Sequence, residues 1–295
     1  MIQNKTLSSK MADIAILLIL ALLALGSVTP IINTLAVSLS DSSKAAAGIV
    51  SFWPIGFTLD SYANILSDQK FFDAAWVSVK RVVLGVIVSL SVITLMAFPL
   101  SREVRQFPLR NVYMWFCIFT MMFHGGLIPT FLTIRDLGLI DSIWALVLPG
   151  AASVFNVVLM VNFFRNLPKE MDESASIDGA GPWYKLFVIY LPLSVPILAT
   201  IVLFTMVGHW NSFFDGLIYM NKEENYPLQT YVQQLVVQID PTKEYREEDI
   251  ELLRSVSQRT VNAAKIFVTL LPIMLVYPFL QRYFMTGIML GSVKE

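Results

Sequence analysis

Side chains that could do chemistry gather in two places in this chain. The first is EMDESASIDGAGPWYKLFVIYLP, residues 170–192, where Glu170, Asp172, Glu173 and Asp178 stand close together. Paired carboxylates can act as general acid and base, but only where a cleft holds two of them around a substrate. At a solvated helix start the same acids simply complement the helix dipole. The second place is His209-Trp210-Asn211, followed by Phe213, Phe214 and Asp215. Ring faces can cover the C–H surfaces of a sugar while amide and carboxylate groups bond its hydroxyls. An aromatic belt at a membrane interface would use the same residues. Other chemistries lack their parts. The two histidines, His124 and His209, are far apart, so no metal site is expected. Cys117 is the single cysteine, which rules out a disulfide within the chain. No GxxxxGK[ST] loop is present to cradle ATP phosphates, and no HExxH or Ser/Lys arrangement lies within an apolar run.

The elements that position these residues belong to a membrane. Of 295 residues 56% are hydrophobic and only 15% are charged, above the roughly 45–50% apolar content of soluble domains. Mean hydropathy is +0.64. The net charge of −1 argues against nucleic acid as a partner. Six segments approach the ~20 apolar residues that a spanning helix needs. They are Ala12–Leu35, Trp76–Leu100, Val112–Leu132, Ile143–Phe164, Val195–Phe214 and Ala264–Tyr283. The expected fold class is therefore all-α, a polytopic membrane protein forming one transmembrane domain over residues 1–295. Pro149-Gly150, Pro196, Pro272 and Pro278 are expected kinks, and His124-Gly125-Gly126 before Pro129 a helix break. Breaks of this kind survive in lipid only beside other protein or a water-lined cavity. Lys5 and Lys10 before Ala12–Leu25 could also mark a signal peptide, yet the apolar character runs on through Ile31, Ile32, Leu35 and Val37. The loop SREVRQFPLR (101–110) carries three arginines between adjacent spans, which favours cytoplasmic N- and C-termini. Two external segments follow, about 38–75 and 219–262. The second carries an amphipathic pattern, with Ile250, Leu252, Leu253 and Val256 among acids.

Within 166–192 the punctuation spells an elbow. Asn166 is an expected N-cap, with Pro168 in the first turn and a helix reaching Ile177. Gly179 and Gly181 stop it, and Pro182 opens a second helix through Trp183-Tyr184-Lys185-Leu186-Phe187. Ser174, Ala175, Gly179 and Ala180 are small enough for another surface to approach closely. A lipid-surface helix is the competing reading. Asn156 and Asn162 in the fourth span are expected to bond between helices.

The stretch Glu173-Ser174-Ala175, Gly179, Ile189, Leu191-Pro192 resembles the EAA motif of permease subunits of bacterial ABC importers, with Ser174 where the family has Ala. IDGAG after Ala175 is similar to the sugar-importing branch. The segments 121–150, 209–229 and 287–295 resemble its LplC/YtcP-type subgroup, relatives of the maltose permease subunit, to which an alginate importer's second permease subunit is also similar. The resemblance implies the type I importer (MetI-like) fold, a bacterial inner-membrane location and import of oligosaccharides or polysaccharide fragments by alternating access. It implies a heterodimer with a second permease, two copies of a cytoplasmic ABC ATPase and an external solute-binding protein. No cofactor and no catalytic residue belong to such a subunit. Residues 166–192 become a cytoplasmic coupling loop, with Glu173, Ser174, Ala175, Asp178, Gly179 and Ala180 meeting the ATPase. Ile189, Leu191 and Pro192 mark the return to the bilayer. The substrate path would pass His209, Trp210, Asn211, Phe214 and Asp215. An ion-coupled secondary transporter is the alternative, but it needs mid-span ionisable groups that the sequence does not offer.

Overall fold

A computed structural model of the chain describes residues 7–237 and 258–292, all of whose regular elements are helical. In chain order these are α1 (Leu7–Ser38), α2 (Ser42–Ala46), α3 (Asp60–Ser67), α4 (Gln69–Ser101), α5 (Arg110–Met122), α6 (Leu127–Asp136), α7 (Ile143–Val147), α8 (Val154–Arg165), α9 (Lys169–Ile177), α10 (Pro182–Leu193), α11 (Val195–Asn211), α12 (Phe214–Tyr219), α13 (Leu228–Val237) and α14 (Gln258–Ser292). The expected amphipathic helix around 247–256 lies outside the described residues.

Two compact units divide the chain, one of residues 1–69 with 234–271, the other of 70–233 with 272–295. In the first, α1 runs unbroken past Gly26-Ser27 and carries Pro30 inside it. Leu17, Leu22 and Leu25 point outward, 65–68% exposed, and no side of the helix is polar enough for water. That character suits a span. Its C-terminal end is pinned by Ser38 Oγ to Tyr62 OH at 2.8 Å and by Asn33 Nδ2 donating to Ser51 O at 2.7 Å. Ala36, Val37, Ala45, Val50 and Ala263 form its small core. Lys265 is buried there against Asp68, 2.5 Å away.

The second unit holds both candidate sites. Along α4 the residues Ala74, Val77, Ser78, Arg81, Gly85, Ser89, Ile93, Ala97 and Leu100 recur at helical spacing, and the side chains among them are buried. Ile93 and Ala97 from this stripe, with Phe98 beside it, pack with Cys117 of α5, Val157, Met160 and Phe164 of α8, Leu186 and Tyr190 of α10, and Ile197 and Ile201 of α11. Phe98, Phe164 and Tyr190 close a triangle of edge-to-face rings, with centroids 5.3 to 6.4 Å apart.

Two of the expected spans are not single rods. Val112–Leu132 breaks after Met122 and turns by 113° into α6. Gly126 sits at φ 92°, ψ 172°, a region open only to glycine. Ile143–Phe164 is likewise two helices parted by LPGAAS, where Pro149-Gly150 ends the ladder. Among the described residues there are therefore three helices long and apolar enough to cross a membrane, two bent pairs that pass the same test together, and the shorter apolar α8. The second bent pair is α10 with α11, turned by 81° at Ser194.

Candidate functional site

The elbow is built by its own punctuation, with one change from expectation. Asn166 does not start α9 but caps the end of α8, and Pro168, at ψ 127°, takes the N-cap place instead. Proline has no N–H and a fixed φ, so it serves there without loss. Glu170 and Asp172 occupy the first turn, at the positive end of the helix dipole. At the other end Ala180 N donates to Ala175 O at 2.8 Å and Gly179 N to Ser176 O at 3.1 Å. These are the paired bonds of a Schellman stop, which needs a left-handed residue between them. Gly179 supplies it at φ 75°. Pro182 then opens α10, whose segment Lys185–Tyr190 widens into π-helical turns just before Pro192, where a backbone donor is missing.

The half-buried carboxylate of Asp172 ties this elbow to the bundle, beside the exposed Lys169–Glu103 pair. Asp172 Oδ1 accepts from Arg102 Nη1 at 2.7 Å and from Tyr190 OH at 3.3 Å, with Lys185 Nζ 3.4 Å away. Lys185 also donates to Asp172 O and to Ser176 Oγ, at 3.1 and 2.6 Å. The Arg102 guanidinium lies over the rings of Phe98 and Tyr190, 4.2 and 4.3 Å from their centroids. Burial pushes the Asp172 carboxyl up, but the bond and charge of Arg102, with Lys185, outweigh it and hold it below the usual carboxylate range. A depressed carboxyl stabilises the fold above its unfolded pKa and loses that stabilisation as pH falls through its folded pKa. The Asp172 network therefore stays complete from neutral pH down to the usual carboxylate value, about 3.9, and opens only below it. A carboxyl ¹³C titration should place the Asp172 midpoint below that value in the native chain and move it upward in Arg102→Gln.

The expected docking residues separate into three settings. Ser174, Ala175, Asp178, Gly179, Ala180 and Ile189 all line one groove of about 560 Å³ on the elbow. Ala175 itself is buried, while Ile177 beside it is 87% exposed. Glu173 faces a separate cavity at the elbow's base. Leu191 packs against the ring-rich core, and Pro192 is exposed.

The second site is a cavity of about 790 Å³ between the helices of this unit. Of the five residues named for the substrate path, His209, Phe214 and Asp215 line it; Trp210 is buried, Asn211 is exposed, and neither reaches the cavity. Sequence reasoning did not single out Arg81 of α4. Its side chain is 2% exposed and grips Asp215 through both guanidinium ends. It also donates to Ser212 O at 3.1 Å and approaches His209 Nδ1 at 3.4 Å. Asn156 was expected to bond between helices. It is buried on the cavity wall, and its Oδ1 has no hydrogen-bond partner among the described residues. His124, at the helix break, joins the same lining, as do the rings of Phe155, Phe204 and Tyr219. Asn162 is exposed. The one signal in the sequence was an arginine within WVSVKRVVLGV, facing apolar neighbours.

Gly85 makes room for this arrangement. A methyl group there would overlap the His209 imidazole. Gly85→Val should push His209 into the cavity and cost about 1–3 kcal/mol of stability. Paired measurements of thermal unfolding and transport check both effects.

Residues 74–290 match the family of the binding-protein-dependent transport system inner membrane component. The polygalacturonan/rhamnogalacturonan transport system permease protein YtcP of Bacillus subtilis is 38% identical, over 98% of this chain and 100% of that protein. Protein LplC of the same organism is 36% identical, over 99% of this chain and 97% of its own length. A solved structure of a bacterial ABC transporter involved in the import of the acidic polysaccharide alginate contains a similar chain. It superposes with a TM-score of 0.85 at 32% identity, covering 95% of this chain and 98% of that one.

Proposed function

Since the chain belongs to the binding-protein-dependent transport system inner membrane component family, and is a multi-pass permease subunit of an ABC importer rather than an enzyme, we propose that it carries oligosaccharides or polysaccharide fragments. The observation that carries the substrate class is the cavity of about 790 Å³, lined by rings and by a few polar side chains. Phe155, Phe204 and Phe214 offer faces for sugar C–H surfaces; Asp215 and Asn156 offer acceptors for hydroxyls. The names of the polygalacturonan and alginate relatives support the same class.

In this reading a second permease completes the pore, two cytoplasmic ATPases supply the energy and an external binding protein delivers the sugar. Both termini and the elbow face the cytoplasm. Glu173, Ser174, Asp178, Gly179 and Ala180 meet the ATPase, with Ala175 as the buried small residue beneath them. Ile189, Leu191 and Pro192 carry the chain back into the bilayer. ATP binding draws the elbows together and turns the cavity outward, and hydrolysis resets it. Such a switch requires each ligand to favour one state by differential affinity.

The test is reconstitution. The chain, copurified with its partners and placed in liposomes with ATP inside, should import oligogalacturonides when the binding protein is added outside. Uptake driven by an ion gradient without ATP, or a chain that purifies alone, would overturn the reading.

A further inference from the structure

A smaller cavity of about 330 Å³ lies at the elbow's base, where Arg102, Arg110, Arg165 and Lys169 share the lining with Glu103, Asp172 and Glu173. The charges do not pair off. Asp172 holds Arg102 at 2.7 Å, and Glu103 holds Lys169 at 2.8 Å. Glu173 is exposed and also within the field of Lys169. Arg110 and Arg165 have no carboxylate among the described residues. Each donates once to a main-chain carbonyl at the end of α4: Arg110 Nη1 to Arg102 O and Arg165 Nη2 to Leu100 O, both at 2.9 Å. Cations at a helix C-terminus are favourable, which accounts for one donor of each. It does not account for the rest. Arg110 Nε is buried without a partner among the described residues, and the two guanidiniums are close enough to repel each other. A guanidinium has five N–H donors in a fork that matches the oxygens of a carboxylate or a phosphate.

Depth decides which anion. Arg110 is the first residue of α5, whose Val112, Trp115, Phe116 and Phe119 are apolar and 60–70% exposed. A helix with that outer face meets lipid, and its charged first residue then lies at headgroup level. From this juxtaposition we infer that Arg110 and Arg165 form a phosphate-binding site at the foot of the elbow. Its chemistry is the phosphate group, which an anionic phospholipid headgroup or free phosphate can present.

The assembled transporter, stripped of lipid in detergent, is the material for the test. Phosphatidylglycerol, inorganic phosphate and a phosphate-free galactolipid are titrated separately while thermal unfolding is followed. Phosphatidylglycerol should raise the unfolding temperature in a saturable way, and the galactolipid should not. Arg110→Gln and Arg165→Gln should each weaken that binding about tenfold, the loss of one charge-assisted hydrogen bond. Arg110→Lys keeps the charge and serves as the folding control, with binding closer to the native chain. A saturable rise with inorganic phosphate at equal concentration would identify the free ion as the source. No rise with either phosphate, an equal rise with the galactolipid, or unchanged binding in both glutamine variants would overturn the site. Sites filled by a partner's acidic side chain would give the first of these results.

Discussion

With Gly179 replaced by aspartate, the chain is expected to insert and fold, yet sugar uptake should fall at least tenfold and the ATPase should be lost on purification. The backbone cost is small. Gly179 is left-handed at φ 75°, which costs an L-residue about 1–2 kcal/mol, and aspartate is among the residues that tolerate it best. No atom stands within 4 Å of where its Cβ would be, so nothing inside the chain clashes. The new side chain instead projects into the groove shared with Ser174, Asp178 and Ala180, and adds a negative charge at a helix C-terminus. Close approach of a partner surface is what it prevents. Copurification and ATP-driven uptake, measured together in the same membranes, separate this from misfolding. Native uptake with the ATPase retained would remove the groove from the docking surface.

Removing Arg81 should have the opposite signature, with stability lost first. Arg81→Met takes the counter-charge from Asp215 and leaves its carboxylate with Ser212 Oγ and Gly216 N as donors. Breaking a buried pair on one side costs about 3–5 kcal/mol. The double variant Arg81→Met, Asp215→Leu removes both charges and should recover much of that stability, because the desolvation cost of the pair disappears with it. It should not recover uptake if Asp215 offers its carboxylate to the substrate. Unfolding midpoints for the single and double variants test the first point, and reconstituted transport tests the second. Full transport by the double variant would reduce the Arg81–Asp215 pair to a brace.

Local signals explain why the elbow was legible in the sequence and the cavity was not. Gly179, Gly181 and Pro182 act on their own backbone, so a Schellman stop and a proline-opened helix follow from spacing alone. The start of α9 was misplaced by two residues because Asn166 and Pro168 both suit a helix boundary, and only the tertiary path decides between them. The breaks inside 112–132 and 143–164 were legible at His124-Gly125-Gly126 and Pro149-Gly150, but the size of the turn was not, because hydropathy does not record direction. Gly126 turns the chain by 113° without adding one polar atom. The cavity depends on Arg81 meeting residues more than a hundred positions later. No periodicity within α4 announces such a partner. Asn156 was read as a bridge between helices because buried amides usually find one; its open Oδ1 is visible only when the wall around it is in place.

The inward placement of Asp172 has a consequence for how such a subunit can change over time. The buried side of α9 is held by the Asp172 carboxylate on Arg102, Lys185 and Tyr190. Ile177 and Glu173, on neighbouring turns, are exposed and play no part in that anchorage. In the proposed docking mode, recognition and anchorage are therefore written in different letters of the same short word. Mutations that retune the outward letters can fit the subunit to another motor while its lever stays bolted in place. A lineage built this way can share or exchange motors without redesigning its pore.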